Sequence, residues 1–544
     1  MDDSMFGIPS SPPLRACGFP LQHVIPRLTL ISYIFATLFA KMRWSSCSPS
    51  VLRIFNNAAL LVMVSYASDC RALITLSWKP YPTKAISDWR KSHKPLSRET
   101  LHTALNIALF PPIFFFSGLF YTDVLSTCVV LRAYRLYLER QDISKNSVLG
   151  SIWLYLTGMV ALTMRQTNIF WVAIFLAALE VIRSIKSEAG KEAAQAKVSQ
   201  NWQETIILKV KQYTHGNIHD LLLKDAGIQG KWLPCLLGYL ADRGLDYILC
   251  AISIAIAAVF RPPMSTVKLV IQLWPYILLL ASFVGFLVWN GGVVLGDKSN
   301  HVATIHLPQL LYIWPFMAFF SAPLILPVGI NFILDTFKLL RIPLFPRLIW
   351  KYLLIAVYIS IALSATLLII KFNTIIHPFT LADNRHYMFY VFRYTILRHP
   401  LLKFVLAPVY LICAWLVYLT LCTSPGAPTS TKFGDKRVGA PIASEPKSIT
   451  KSSAASEGPT TSFIIVLIAS TALSLVGAPL VEPRYFIIPW VIWRLNVPSP
   501  AIYDQRLYFE TAWSLLLNFI TGYMFLYRGF SWPQEPGNVQ RFMW

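Results

Sequence analysis

Long runs with little or no charge alternate along the chain with short connectors rich in charge. The clearest runs are LTLISYIFATLFA (28–40), LLLASFVGFLVW (278–289), LLIAVYISIALSATLLII (353–370) and SFIIVLIASTALSLVGAPL (462–480). A helix needs about 20 apolar residues to cross the hydrocarbon of a bilayer, and several runs approach that length. The pattern predicts an all-α polytopic membrane protein with about twelve transmembrane helices. The run at 28–40 is as short as a signal-peptide core, but it lacks a small-residue cleavage site. Pro26 and Arg27 suit a signal anchor equally well.

The same pattern divides the chain. Residues 1–51 carry the first apolar helix, and 52–183 carry helices bearing YTD (121–123) and RQTN (165–168). A basic loop fills 184–244. A transmembrane core with GDKSNH (296–301) and LADNRHY (381–387) fills 245–422, a Pro/Ser/Lys-rich linker 423–461, and C-terminal helices 462–544. The linker has no apolar periodicity and reads as disordered.

Composition agrees with the pattern. Of 544 residues, 55% are apolar and only 14% charged, against roughly 25% charged in a soluble domain. The net charge of +22 could suggest nucleic acid, but in a membrane protein the positive-inside bias accounts for it, and no nucleic-acid partner is expected. The eight cysteines form no CxxC pair and lie mostly in or beside apolar runs, so they suggest neither a disulfide frame nor a metal site. His301 and His306 are five apart, which on a helix turns them to different sides.

Basic residues concentrate in alternate connectors: 83–98, 132–145, 184–244, 337–351 and 424–460. All fall on one side of the membrane if two apolar stretches, 245–260 and 485–493, re-enter or lie along the interface instead of crossing. The opposite, non-cytosolic side then collects YTD, RQTN, GDKSNH, ADNRHY and EPRYF (482–486). Some of these polar residues have plain readings as helix caps, aromatic anchors or topology determinants. ADNRHY is denser. An Arg near the membrane core is costly unless paired or wetted, and Arg385 flanked by Asp383, Asn384, His386 and Tyr387 could hold an anionic group with a bidentate fork and neutral donors.

Six strings, HPFTLADNRHYMFYVFR (377–393), VWNGGVVLGDKSNHVATIHLPQLLYIW (288–314), MRQTNIFWV (164–172), FFFSGLFYTD (114–123), VEPRYFIIPWVIWRLNVP (481–498) and VQRFMW (539–544), resemble the dolichyl-phosphate-glucose-dependent alpha-1,2-glucosyltransferases. The resemblance runs in order from Leu52 to Trp544. It implies a lipid-donor (GT-C type) glycosyltransferase fold in the endoplasmic-reticulum membrane, with a lumenal active face. The donor substrate would be dolichyl phosphate glucose, with no further cofactor expected. The acceptor would be the lipid-linked oligosaccharide Glc2Man9GlcNAc2 on dolichyl diphosphate.

The implied reaction inverts the anomeric carbon, so one carboxylate must act as general base on the acceptor hydroxyl. The lipid-phosphate leaving group needs positive or hydrogen-bonding partners but not necessarily a metal. On this resemblance Arg385, His386 and Lys298 bind the donor phosphate. Asp297, Asp383, Asn384, His301, Glu482, Arg484, Arg165 and Asn168 bind or orient the glycan. The family's acidic motif in the first lumenal loop, the expected base, has no counterpart in KMRWSSCSPS (41–50). This reads as an incomplete or impaired chain, with Asp123, Asp297 and Asp383 as fallback bases. The rival functions are a non-catalytic transporter or channel modulator, and a scaffold subunit of a glycosylation complex. The absence of an internal repeat disfavours a transporter.

Overall fold

The computed structural model describes residues 49–544 apart from 80–81, 93–95, 141–147, 188–201, 227–237, 294–303, 341–345, 424–457, 479, 500–504 and 533–534. The 28–40 run, GDKSNH and most of the 423–461 linker therefore lie outside the described residues. The rest is helical except for one β-hairpin.

In chain order the helices are α1 (Pro49–Ser77), α2 (Pro82–Ser92), α3 (Arg98–Ala108), α4 (Pro111–Ser117), α5 (Thr122–Glu139) and α6 (Val148–Met164), then α7 (Leu176–Ser187), α8 (Trp202–Thr214), α9 (Gly238–Val259) and α10 (Pro263–Asn290). They continue with α11 (Gln309–Phe320), α12 (Ala322–Leu340), α13 (Pro346–Asn373), α14 (Pro378–Ala382), α15 (Tyr387–Val391) and α16 (Leu402–Val405). Last come α17 (Ala407–Leu421), α18 (Thr461–Leu475), α19 (Ile487–Leu495) and α20 (Arg506–Tyr527). Strands β1 (Phe530–Trp532) and β2 (Glu535–Gln540) pair antiparallel, with Phe530 opposite Gln540.

Among the described residues five helical stretches are long and apolar enough to span a membrane, or seven if each of two bent pairs counts as one span. The exposed Ile271, Ile277, Val288, Ile359, Ile361 and Leu368 line α10 and α13. In water such a surface would be an aggregation liability, whereas in lipid it is the outer wall. Of the two stretches expected not to cross, α19 has nine residues, only about 14 Å at 1.5 Å per residue. The other stretch lies in α9, a helix of 22 residues.

The bent pairs explain where α19 sits. Helices α3 and α4 meet at 66°, α11 and α12 at 95°. Helix α4 restarts at Pro111, where a missing N–H costs nothing. Trp490 of α19 reaches both breaks: its ring stacks on Phe110 at 3.7 Å, and its indole N–H donates to Ser321 Oγ at 2.8 Å. Phe316 and Phe320 extend this aromatic core towards Phe486 and Trp544. Elsewhere Gly158 of α6 lets Leu279 of α10 approach so closely that a Cβ would lie 2.6 Å from Leu279 Cδ2, a close approach of the kind small residues allow between membrane helices.

Buried charges pin the start of α18 and the junction of α19 with α20. The Asp220 carboxylate caps the start of α18, accepting from Ser462 N (2.8 Å), Ser462 Oγ (2.7 Å) and Thr461 Oγ1 (2.9 Å) while pairing with Lys186. Arg494 at the end of α19 forks onto Glu510 of α20, with both contacts at 2.6 Å.

Candidate active site at one end of the bundle

The YTD turn is held from α1. Asn56, almost wholly buried, donates its amide to the Leu119 and Tyr121 carbonyls at 2.7 and 2.9 Å. Asp123 therefore enters the first turn of α5, where helix-terminal N–H groups favour a carboxylate. Arg165 Nη2 lies 2.7 Å from Asp123 Oδ1, off the line of a straight hydrogen bond. Neither Asp123 oxygen accepts a hydrogen bond, although the residue is 2% exposed. The Arg165 guanidinium also faces the Tyr485 ring at 5.9 Å.

Asn168 is fully buried and donates to Ser126 Oγ (2.8 Å) and the Ala161 carbonyl (2.7 Å). It fixes the RQTN turn, after which the helix winds as a π-turn over Phe170–Phe175. A second π-turn, Phe392–Ile396, follows α15 beyond LADNRHY. Such bulges occur often at functional sites.

The LADNRHY turn folds around Asp383. Its carboxylate accepts the Arg385 backbone N–H at 2.9 Å, a local turn that Asp favours. It also accepts Arg385 Nε at 3.0 Å and Nη2 at 2.8 Å. His386 Nδ1 lies 3.1 Å from the Trp544 main-chain oxygen; that oxygen can only accept, so Nδ1 carries the proton. His386 Nε2 then faces Asp383 Oδ2 at 3.5 Å. Burial alone would push the Asp383 carboxyl up. Hydrogen bonds from the Arg385 side chain and backbone, with the neighbouring His386 and Arg385 charges, outweigh burial and hold it below its ordinary range.

In EPRYF the chain turns through a 3-10 helix, Pro483–Phe486, and Glu482 pairs with Arg484. Burial raises the Glu482 carboxyl, but the charge and hydrogen bond of Arg484, with Arg165 and His386 behind them, bring it below its ordinary value. Four strings far apart in sequence thus share one electrostatic neighbourhood. Glu482 feels Arg165 and His386, while Tyr121 feels Arg484, Asp123, Glu482 and Arg385. Three carboxylate–arginine pairs result: Asp123–Arg165, Asp383–Arg385 and Glu482–Arg484. Asp297, Lys298 and His301 lie outside the described residues. Among the described residues no three His, Cys, Asp or Glu side chains group closely enough to hold a metal ion.

Several contributors escaped the sequence reading. Trp532 donates its indole N–H to Asn384 Oδ1 at 2.7 Å, and Gln540 Oε1 accepts Arg385 Nη1 at 3.1 Å. Asn56, which holds the Tyr121 carbonyl, is another. The VQRFMW string was the one hint that the C-terminus belongs here.

No solved structure matches the chain. Among curated proteins, a Dol-P-Glc:Glc(2)Man(9)GlcNAc(2)-PP-Dol alpha-1,2-glucosyltransferase of Emericella nidulans is 36% identical, over 95% of this chain and 89% of its own length. The protein of the same name from Pyricularia oryzae is 37% identical, over 95% and 85%. The mouse protein of that name is 30% identical, over 100% and 92%. The sequence model of the DIE2/ALG10 family matches residues 24–495, most of the chain. With relatives this similar over nearly its whole length, the chain belongs to the DIE2/ALG10 family.

Proposed function

We propose that this protein transfers glucose from dolichyl phosphate glucose to Glc2Man9GlcNAc2 on dolichyl diphosphate, forming the terminal alpha-1,2 linkage at the lumenal face of the endoplasmic reticulum. The names of the relatives support the substrates. The gathering of three arginines and His386 beside Asp123 supports the chemistry. On this reading the protein has the lipid-donor GT-C architecture, with about twelve crossings by hydropathy.

The donor's phosphate leaves as the acceptor hydroxyl attacks the anomeric carbon. Arg385 and His386, with Lys298 from the GDKSNH connector, stabilise the charge that gathers on the phosphate. Asp383 aims Arg385 and, held below its ordinary range, is a weak proton acceptor. Of the fallback bases Asp123 suits the task best, because its buried Oδ2 accepts no hydrogen bond, and an acceptor hydroxyl that reaches it on binding can leave its proton there. Arg165 fixes the other oxygen. Glu482, Arg484, Asn384, Asp297 and His301 orient glycan hydroxyls, and Asn168 holds the turn that carries Arg165.

Purified protein with labelled donor and the Glc2 acceptor should form the Glc3 product. Asp123→Asn should slow turnover by about 10²–10⁴ while donor binding persists. An Asn variant that turns over at the parental rate removes Asp123 from the role. A folded parent that transfers no glucose overturns the enzyme reading in favour of a scaffold.

A further inference from the structure

The family match ends at residue 495, yet the segment beyond it walls the LADNRHY turn. Helix α20 returns the chain to the site, and Arg541 Nη1 donates to the Phe525 and Leu526 carbonyls at 2.8 and 3.0 Å, tying the hairpin to the end of that helix. From there Met543 N donates to the Arg385 carbonyl at 2.9 Å and Tyr387 N to the Met543 carbonyl at 3.1 Å, a parallel β-bridge at His386. The Trp544 ring sits between Tyr387 (4.8 Å) and Phe320 (5.4 Å), joining this bridge to the aromatic core.

Two hairpin side chains reach further in. The Trp532 ring lies 5.0 Å from the Arg385 guanidinium carbon and its N–H binds Asn384. Gln540, 7% exposed, accepts from Arg385 Nη1. The guanidinium is thereby restrained on three sides: Asp383 along the Nε–Nη2 edge, Gln540 at Nη1 and Trp532 on one face. Asp383 alone would not fix its aim. The two residues sit in the same turn, two positions apart, and a forked pair can swing together. The second and third restraints come from a different part of the chain and tie the fork to the bundle.

We infer that Trp532 and Gln540 are positioning residues of the donor site, holding Arg385 and Asn384 in the orientation in which they meet the donor's phosphate and sugar. The inference rests on the reading of Arg385 as the phosphate-binding arginine. Aim that is built in before binding lowers the ordering cost of the donor complex, so its loss falls on donor binding.

The test measures both Michaelis constants and kcat on purified protein. Gln540→Leu and Trp532→Ala should each raise the donor KM by about tenfold, the worth of a hydrogen bond to a charged group or of a partly desolvated cation–π contact. The acceptor KM should stay within about twofold, since neither residue acts on the acceptor hydroxyl, and kcat should fall with the loss of donor affinity, because Arg385 also stabilises the charge on the departing phosphate. Gln540→Glu keeps an accepting oxygen at the same place and should recover most of the donor affinity. Trp532→Phe keeps the ring but loses the N–H and should fall between parent and Ala. Should Trp532→Ala fail to fold, the Phe and Gln540 variants carry the test. Parental kinetics in all of them, or a rise in the acceptor KM with the donor KM unchanged, overturns the inference. Arg385→Ala run in parallel separates the two readings. If it leaves the donor KM unchanged, the phosphate assignment itself fails. If it raises the donor KM while the hairpin variants do not, only the hairpin inference falls.

Discussion

Replacing Glu510 with glutamine keeps the volume and removes one charge from a place where water cannot replace it. Arg494 and Glu510 are 2% and 1% exposed, and the carboxylate accepts three hydrogen bonds: two from Arg494 at 2.6 Å and one from Asn106 Nδ2 at 2.7 Å. The glutamine amide can supply only one accepting oxygen, so its NH2 must face a donor on Arg494 or Asn106. Breaking a buried ion pair from one side costs about 3–5 kcal/mol, because the surviving charge is left uncompensated. Replacing both partners with apolar residues of similar size is often nearly neutral. Glu510→Gln should therefore lower the unfolding temperature of the detergent-solubilised protein sharply, and Arg494→Met with Glu510→Leu should recover much of the loss. Asn106 keeps its 3.0 Å bond to the Leu507 carbonyl in either case. The pair joins α19 to α20, and α19 begins where Glu482 and Arg484 line the site, so the single variant should also lose transfer activity as it loosens. A Glu510→Gln protein that melts with the parent, or a double variant less stable than the single, would refute the reasoning.

Arg385→Ala should lower turnover by at least tenfold, since losing one contact to a buried anion costs about 2–5 kcal/mol. Arg385→Lys should rescue only partly, because an ammonium cannot fork onto Asp383; near-parental turnover of the Ala variant would return this turn to a structural role. Asp383 and Glu482 both titrate below their ordinary values, so the stability they add is fully present above the unfolded carboxylate pKa of about 4 and is lost as pH falls through the lower folded value. The melting temperature should be insensitive to these two groups between pH 8 and 5 and fall below about pH 4, and Asp383→Asn should flatten that acid limb. In sealed microsomes an impermeant thiol reagent should label a cysteine placed at Asn384 or Asn300 only once the lumen is opened; labelling from the cytosolic side would break the shared-site argument.

Hydropathy found the helices because their signal is local. The runs at 278–289, 353–370 and 462–480 lie in α10, α13 and at α18, where periodicity needs no tertiary partner. Counting spans was harder, because Val148–Met164, Leu245–Val259 and Thr461–Leu475 are apolar yet short. The breaks between α3 and α4 and between α11 and α12 are stabilised by Trp490, a residue far from both in sequence. The polar strings could be read as one face because charge segregation follows from the alternation of crossings. Which acid holds which arginine was half legible: Asp383–Arg385 and Glu482–Arg484 are two apart, whereas Asp123 opens α5 and Arg165 lies on the turn after α6. Beyond the VQRFMW string, the hairpin's part could not be read. Trp532 and Asn384 are 148 residues apart and Gln540 and Arg385 155, and no spacing rule links such pairs.

On the proposed function, the pairing bears on how a membrane enzyme can keep a phosphate site ready. Arg165, Arg385 and Arg484 are matched one for one by Asp123, Asp383 and Glu482, so these six side chains carry no net charge together. Three unpaired guanidinium groups at the edge of the hydrocarbon would each be costly to bury, and they would attract any passing anion. Pairing removes most of that cost and fixes each guanidinium plane. A neutral cluster of this kind holds an anion through the direction of its N–H groups more than through its total charge. Direction is what the second contacts supply, from Tyr485 against Arg165 and from Trp532 and Gln540 against Arg385. On the proposed function, selectivity for a lipid-linked sugar phosphate over bulk anions then follows from geometry held by the folded bundle.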